Sequence, residues 1–438
     1  MISLEDLIVE KHSKNIKKGL EVLPYEVLTQ NSALGHYGWT RELIFSTWIM
    51  ATKGMPPKNK IEYRIGNSGG GFDRLFFKKL INKEDLPEIE EVIDDEEIDL
   101  SLDLNRKDYG ERIKIPIPFY GAGMSYGSVS LNFMIARAKA ARKFNTFTST
   151  GEGGYPPELM EYKENVIVQA STGYFGVREE TLQLARIIEL KYAQGAKPGL
   201  GGHLLSFKVS EDVAKMRETV PHVDIFQPFP FHSVYSVEDH KKHVDFFRTI
   251  NPNALISVKV STPIDVDMVS IGIYYAGAHI IHLDGGYGGT GAAPDFAKKN
   301  IAMPIELAIP KVHEYLLKEG VRDNVVVMAS GRIRTAHDIA KAIALGADGC
   351  ILGTVEAIAV GCTQCGNCEK GASDRGCQFG IATPDRFLSK FLDVEWASER
   401  IVNLYNAFKI ELKRILKGLG LKSIRDLRGR KDLLIYYG

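Results

Sequence analysis

From about Lys114 to Thr354 the chain repeats one unit: a short apolar run, a polar or glycine-bearing turn, then a stretch of helical spacing. Strand cores are expected at Ile115–Tyr120, Thr146–Ser149, Val166–Ala170, Ile188–Tyr192, Leu255–Val260, His279–Leu283, Val325–Ala329 and Gly349–Leu352. Eight apolar runs joined by helices predict an α/β fold, a closed parallel (β/α)8 barrel, with Val223–Gln227 competing as a ninth run. Ser149, Gln169, Lys191, Lys259, Asp284 and Ser330 sit at or near the carboxyl ends of these runs. Barrel enzymes build their sites on that rim.

The rest of the 438 residues divides around this unit. Residues 1–110 read as a helical and loop extension, 111–360 as the barrel, 361–384 as a cysteine-rich loop and 385–438 as a helical segment. The basic stretch Lys14–Lys18 reads as a solvated helix face, and the glycine-rich Arg64–Phe72 as a structural loop, with a ligand contact as the alternative. The acidic Glu84–Asp99 reads as an exposed connection. In the tail, Ile401, Leu404, Tyr405, Phe408, Leu412, Ile415, Leu416 and Leu419 share one helical face, and Gly418 and Gly420 are placed to stop it.

Lys and Arg number 55 and Asp and Glu 55, so no net charge points to nucleic acid or an anionic membrane. The longest apolar run, Met268–Leu283, is too short to span a bilayer, and Met1-Ile-Ser-Leu-Glu lacks the pattern of a secretory leader. Four of the five cysteines lie between Cys362 and Cys377, which argues against a scattered disulfide framework and for a reducing, cytoplasmic setting.

Those four carry the sharpest chemical signal. Cys362, Cys365 and Cys368 form C-x2-C-x2-C, and Cys377 can close the set from a separate turn. This is iron–sulfur spacing. Structural zinc is the alternative, although zinc knuckles are usually paired C-x2-C units set far apart. The fifth, Cys350, reads as a small core residue. Just before the cluster, Ser330-Gly331 and Gly353-Thr354 end two strands joined by a helix, the arrangement of a phosphate grip. A phosphate-bearing cofactor beside an iron–sulfur cluster suggests electron transfer. Lys259, in an apolar strand, can face the negative charge of a reduced flavin or snorkel to solvent. Asp284–Gly291 opens into a glycine run that lets backbone approach a flat ring. Glu152 either handles protons or is a solvated loop carboxylate. His203, His232 and His282 each read as hydrogen-bonded structural histidines.

Taken in order, the motifs resemble the FMN-binding synthase domain of glutamate synthase over about Gly123–Asp385. Met124-Ser-Tyr-Gly-Ser128 resembles MS[FY]GS, Ser149-Thr-Gly-Glu-Gly-Gly154 resembles NTGEGG, and Gln169 through Val177 is similar to QVASGRFGV. Leu190 through Gly199 is similar to IKMAQGAKPG, and Cys377 through Thr383 to CPVGVAT. The resemblance implies FMN, an iron–sulfur cluster, and reductive amination of 2-oxoglutarate to glutamate. It implies that Met124, Ser125, Gln169, Lys259, Gly331, Gly353 and Thr354 hold FMN, and that Lys191, Lys197 and Glu152 face a small-molecule substrate.

The chain departs from that pattern on the substrate side. Tyr174 stands for an arginine, His203 for a glutamine, and Gly286 through Gly291 for HDGGTG. Another amine or oxo-acid substrate is the alternative activity, and an electron-relay subunit of a larger complex is a third reading. The first cysteine is Cys350, so the amino-terminal cysteine of a glutaminase is absent. Ammonia is expected free or from a separate glutaminase chain, and electrons from a ferredoxin or a reductase subunit. The family's C-x5-C-x4-C supplies three thiolates. Here Cys365 is additional and the second spacing is longer, so [4Fe-4S] is expected over [3Fe-4S].

Overall fold

The eight apolar runs become eight parallel strands: β1 (Phe119–Gly121), β2 (Thr148–Ser149), β3 (Val166–Ser171), β4 (Ile187–Lys191), β5 (Leu255–Ser261), β6 (Ile280–Asp284), β7 (Val326–Ser330) and β8 (Gly349–Leu352). The computed structural model describes residues 3–22, 38–58, 60–369 and 376–437. The strands follow one another around the sheet from β2 to β8, and β8 pairs with β1. The Gly121 amide donates to the Phe147 carbonyl at 2.8 Å, just before β2, and brings the last edge to the first. The result is the (β/α)8 barrel.

Two strand expectations change. Ile115 belongs to an antiparallel pair, Lys114–Ile115 against Leu102–Asp103, outside the barrel sheet. The barrel strand starts only at Phe119, after Pro118. The ninth candidate, Val223–Gln227, adds no barrel strand: Ile225 exchanges two backbone hydrogen bonds with Leu204, 2.8 and 3.0 Å, inside the long β4–β5 connection.

Strand residues two apart share a face, and here each face changes character as it climbs. Ile167, Ile187, Leu255, Ile280 and Met328 pack with Leu102 and Ile115 in an apolar cluster. The residues two positions on are Gln169, Glu189, Ser257, His282 and Ser330. The antiparallel pair therefore plugs a dry floor, and a polar layer lies above it towards the rim. Burying each large apolar side chain contributes about 1.5–3 kcal/mol, and this floor keeps the polar layer rigid.

The tail is built on one long helix, Val394–Leu419, which packs on helices Leu131–Lys143 and Arg41–Lys53, but it ends in a strand, Leu434–Tyr436, antiparallel to Leu75–Phe77. Asp393 caps it by accepting from the Trp396 amide, and Gly420, at φ 74°, ends it. Gly418 stays inside the helix, where a Cβ would come within 2.7 Å of Leu80 Cδ2. The acidic stretch is docked on this helix. Ile89, Val92 and Ile98 are buried, and Arg414 Nε donates to the Pro87 carbonyl at 2.6 Å. The glycine-rich loop is structural: Asp73 accepts from the Gly66 amide and pairs with Arg334 Nη2, both at 2.6 Å. Among the described residues no helix is long and apolar enough to cross a membrane.

Candidate active site

At the carboxyl ends of the strands opens a cavity of about 810 Å³, within the usual range for cofactor sites. Met124, Ser125, Gln169, Lys259, Gly331, Gly353 and Thr354 line it. So do Glu152, Lys191 and Lys197, and so do Cys362, Cys365, Cys368 and Cys377. The barrel thus gathers every residue singled out for cofactor, substrate and cluster around one space. A Cβ built on Gly353 would meet only Ala122 Cβ at 3.5 Å and Met124 Cε at 3.7 Å, so its backbone lies bare to the cavity. Gly331 has φ 100° and lies so close to Gly285 that a Cβ would sit 2.6 Å from the Gly285 oxygen. A bare Gly353 backbone, with Gly331 at the end of the adjacent strand also lining the cavity, suits a phosphate.

The walls are charged. Lys191 Nζ lies 2.6 Å from Glu152 Oε2 and donates to Gln194 Oε1 at 2.6 Å. Burial pushes the Glu152 carboxyl up, but Lys191, Arg217 and Lys259 outweigh it and hold it below its ordinary value. Burial and the nearby Lys259 push the Lys191 ammonium down. Both directions follow from cations outnumbering carboxylates in a buried space. Lys259 Nζ lies 3.1 Å from Asp284 Oδ2. Arg217, 2% exposed, reaches in from helix Glu211–Arg217; Nη2 donates to Ser125 Oγ at 3.0 Å, while Nε and Nη1 are buried without a hydrogen-bond partner.

These pairs set an acid limit. Burial would raise Asp284 and Glu189, but Lys259 and His282 beside Asp284, and His282 and Lys259 beside Glu189, draw each down to about 2. A carboxyl lowered on folding stabilises the protein above its unfolded value, and that contribution is lost as pH falls through the folded value. Melting temperature is expected to fall between pH about 4.5 and about 2, and the fall should be shallower in Glu189→Gln. An equally steep acid limb in that variant would place the effect elsewhere.

The four cysteines are all free thiols. Burial pushes the Cys362 thiol up to about 12, with Cys368 and Cys377 near enough to add to it. Among the described residues, no three His, Cys, Asp or Glu side chains converge tightly enough to hold a metal ion. Residues 370–375, most of the long spacing before Cys377, lie outside the described residues. The donor chemistry of four soft thiols suits an iron–sulfur cluster.

Residues 74–422 match the model of the conserved region in glutamate synthase. The chain belongs to the glutamate synthase family. It is 40% identical over 324 residues to the archaeal-type glutamate synthase [NADPH] of Thermotoga neapolitana, covering 74% of this chain and 63% of that protein. It is 38% identical to the archaeal glutamate synthase [NADPH] of Archaeoglobus fulgidus, covering 80% of this chain and 67% of that protein. The large chain of the Azospirillum brasilense glutamate synthase [NADPH] is 34% identical over 72% of this chain and 21% of its own length. The chain thus spans about two thirds of the length of its archaeal-type relatives. In fold it is similar to a flavocytochrome b2 mutant with pyruvate bound, with a TM-score of 0.52, 15% identity, and coverage of 97% of this chain and 91% of that one.

Of the departures from the glutamate synthase pattern, Tyr174 and His203 part company. Tyr174 is absent from the cavity wall; its hydroxyl bonds His243 Nε2 on the outer side of the barrel. Its exchange for arginine therefore says little about substrate. His203 does line the cavity, His232 is exposed, and His282 is buried beneath the wall. Sequence reasoning missed Lys208, which is buried and donates to the Cys368 carbonyl at 2.7 Å. It missed Glu189 and Arg217 as well. Glu189 was findable, because it shares period two with Lys191 in an apolar strand. Arg217 had no signal, since it closes an ordinary surface-like helix.

Proposed function

We propose that this chain binds FMN and an iron–sulfur cluster and catalyses reductive amination of 2-oxoglutarate with ammonia. The observation that carries this reading is Arg217. Its side chain lines a cavity that also holds the Lys191–Glu152 pair and borders four thiols, and among the described residues its Nε and Nη1 are buried without a hydrogen-bond partner. A buried guanidinium with two unmatched nitrogens is costly, and a carboxylate is the ligand that matches its fork. When bound, FMN supplies hydride transfer and the cluster a path for single electrons.

The chain's own residues divide the remaining work. Gly331 and Gly353-Thr354 would hold the flavin phosphate, with Gly353 offering open backbone. Lys259 would offset the negative charge of the reduced ring. Arg217 anchors a substrate carboxylate. Lys191, its charge held by Glu152, is placed to give a proton to the oxygen that leaves as water when ammonia replaces it. Lys197, on the same wall, offers a second cation to a dicarboxylate. A rival substrate, another oxo acid or amine, is favoured by His203 in the wall. A ferredoxin or a reductase subunit would supply electrons.

The test is anaerobic reconstitution with FMN, then turnover with 2-oxoglutarate, ammonium and a chemical reductant. Flavin absorbance retained after gel filtration and glutamate formed in step with reductant are expected. No bound flavin defeats the reading at its base. Bound flavin with no glutamate, but reoxidation by another oxo acid, selects the rival.

A further inference from the structure

Under the cavity wall runs a hydrogen-bonded chain that crosses five strands. Gln169 Nε2 on β3 donates to Glu189 Oε1 on β4 at 2.7 Å. Glu189 Oε2 accepts from Ser257 Oγ on β5 at 3.0 Å and lies 2.8 Å from His282 Nδ1 on β6. His282 Nε2 lies 2.7 Å from Ser330 Oγ on β7. Ser330 Oγ donates to Asp284 Oδ1 at 2.6 Å, and Asp284 Oδ2 takes Lys259 Nζ at 3.1 Å and the Gly195 amide at 3.0 Å. Gln169 and Lys259 reach the cavity, while Glu189 and His282 do not and are 2% and 1% exposed.

Counting protons along this chain assigns the histidine. Glu189 and Asp284 sit among donors, so both are carboxylates and can only accept. His282 Nδ1 must therefore donate to Glu189. A serine hydroxyl has one proton, and Ser330 gives it to Asp284. Its oxygen then offers only lone pairs to His282, so Nε2 must donate as well. Of the groups around His282, the carboxylates Glu189 on β4 and Asp284 on its own strand favour the cation, Ser330 on β7 accepts from it, Ser257 on β5 bonds Glu189, and Lys259, in register with it on β5, opposes it as a like charge that Asp284 offsets. Tyr120 on β1 comes near enough to Glu189 for the carboxylate to add to the effect of burial in raising its phenol.

We infer that His282 is an imidazolium, a resident second cation in the barrel, positioned by Glu189 and Ser330 to free Lys259 for a reduced cofactor. Two carboxylates, Glu189 and Asp284, are then matched by two cations, His282 and Lys259. A flavin that takes up two electrons and one proton gains one negative charge. With a neutral His282 that charge would join an already negative layer; with the imidazolium it meets a balanced one. His282 acts through its neighbours and touches no ligand, so it is a positioning residue. The redox half of the inference rests on the FMN reading above.

Two measurements test it. In protein labelled with 15N-histidine, free of ligand and near neutral pH, both ring nitrogens of His282 are expected at protonated shifts, assigned by their loss in His282→Gln. One nitrogen at the unprotonated shift overturns the inference. In FMN-loaded protein, His282→Gln is expected to lower the reduced-to-oxidised flavin ratio at a fixed poise by about tenfold, the scale of one lost charge at barrel distances. An unchanged ratio overturns the redox role. Failure to bind FMN counts against the flavin reading alone, because the spectrum of the ligand-free protein decides the protonation by itself.

Discussion

Arg217→Met is expected to give a folded protein that melts a few degrees higher than wild type and has lost its hold on 2-oxoglutarate. Both effects have one cause. Arg217 is 2% exposed, and among the described residues two of its three nitrogens have no hydrogen-bond partner. Burial pushes its charge towards neutrality, and Glu152 offsets this only in part. An uncompensated buried charge costs several kcal/mol, and an apolar residue of similar length removes that cost. Among the described residues, the hydrogen bonds given up are those to Ser125 Oγ and the Tyr126 carbonyl, 3.0 and 3.3 Å. Against this stands the ligand. Truncating one partner of a buried charged pair costs about 2–5 kcal/mol, so KM for the oxo acid should rise roughly a hundredfold while FMN stays bound. Calorimetry and steady-state kinetics read the two sides separately. A variant that is less stable than wild type and keeps its KM would make Arg217 a structural residue.

The second large effect is expected at the cysteines. Cys362→Ser should abolish the cluster, and Cys365→Ser should leave a three-iron form. Cys362 lies in the cavity wall at the end of the segment that follows β8, whereas Cys365 is exposed. The spacing Cys362-x2-Cys365-x2-Cys368 matches the run found in four-iron proteins, and a fourth thiolate supplies a fourth iron. Losing the exposed ligand should release only the iron it holds, while losing the half-buried Cys362 removes an anchor. Iron and sulfide analysis with EPR on anaerobically purified protein distinguishes these cases. Three irons per wild-type chain would contradict the four-iron assignment, and bound zinc would remove the electron path altogether.

The barrel was legible in the sequence because it rests on local pattern, and the residues named for its cavity came mostly from the family motifs they resemble. Apolar runs of strand length separated by helical spacing leave few architectures, and residues at strand ends meet at one rim whatever the loops do. Boundaries were less legible. Ile115 and Phe119 lie in one apolar run, yet Ile115 pairs with Leu102 and Phe119 with Cys350. Pairing depends on partners far along the chain, and apolar periodicity does not name them. The docking of the acidic stretch on the tail helix was hidden for the same reason.

The linear order of residues determined the eight strands, the thiol spacing and the glycines bare enough for a phosphate, since each is a property of a few consecutive positions. Only the tertiary structure decided which charges meet. It turned Tyr174 away from the cavity, brought Arg217 in from a helix 26 residues beyond Lys191, and set Glu189, His282, Ser330 and Asp284 in a single chain across the barrel. Electrostatic and hydrogen-bonding roles depend on distances of about 3 Å between groups. Those distances are set by how strands from across the chain stack in register.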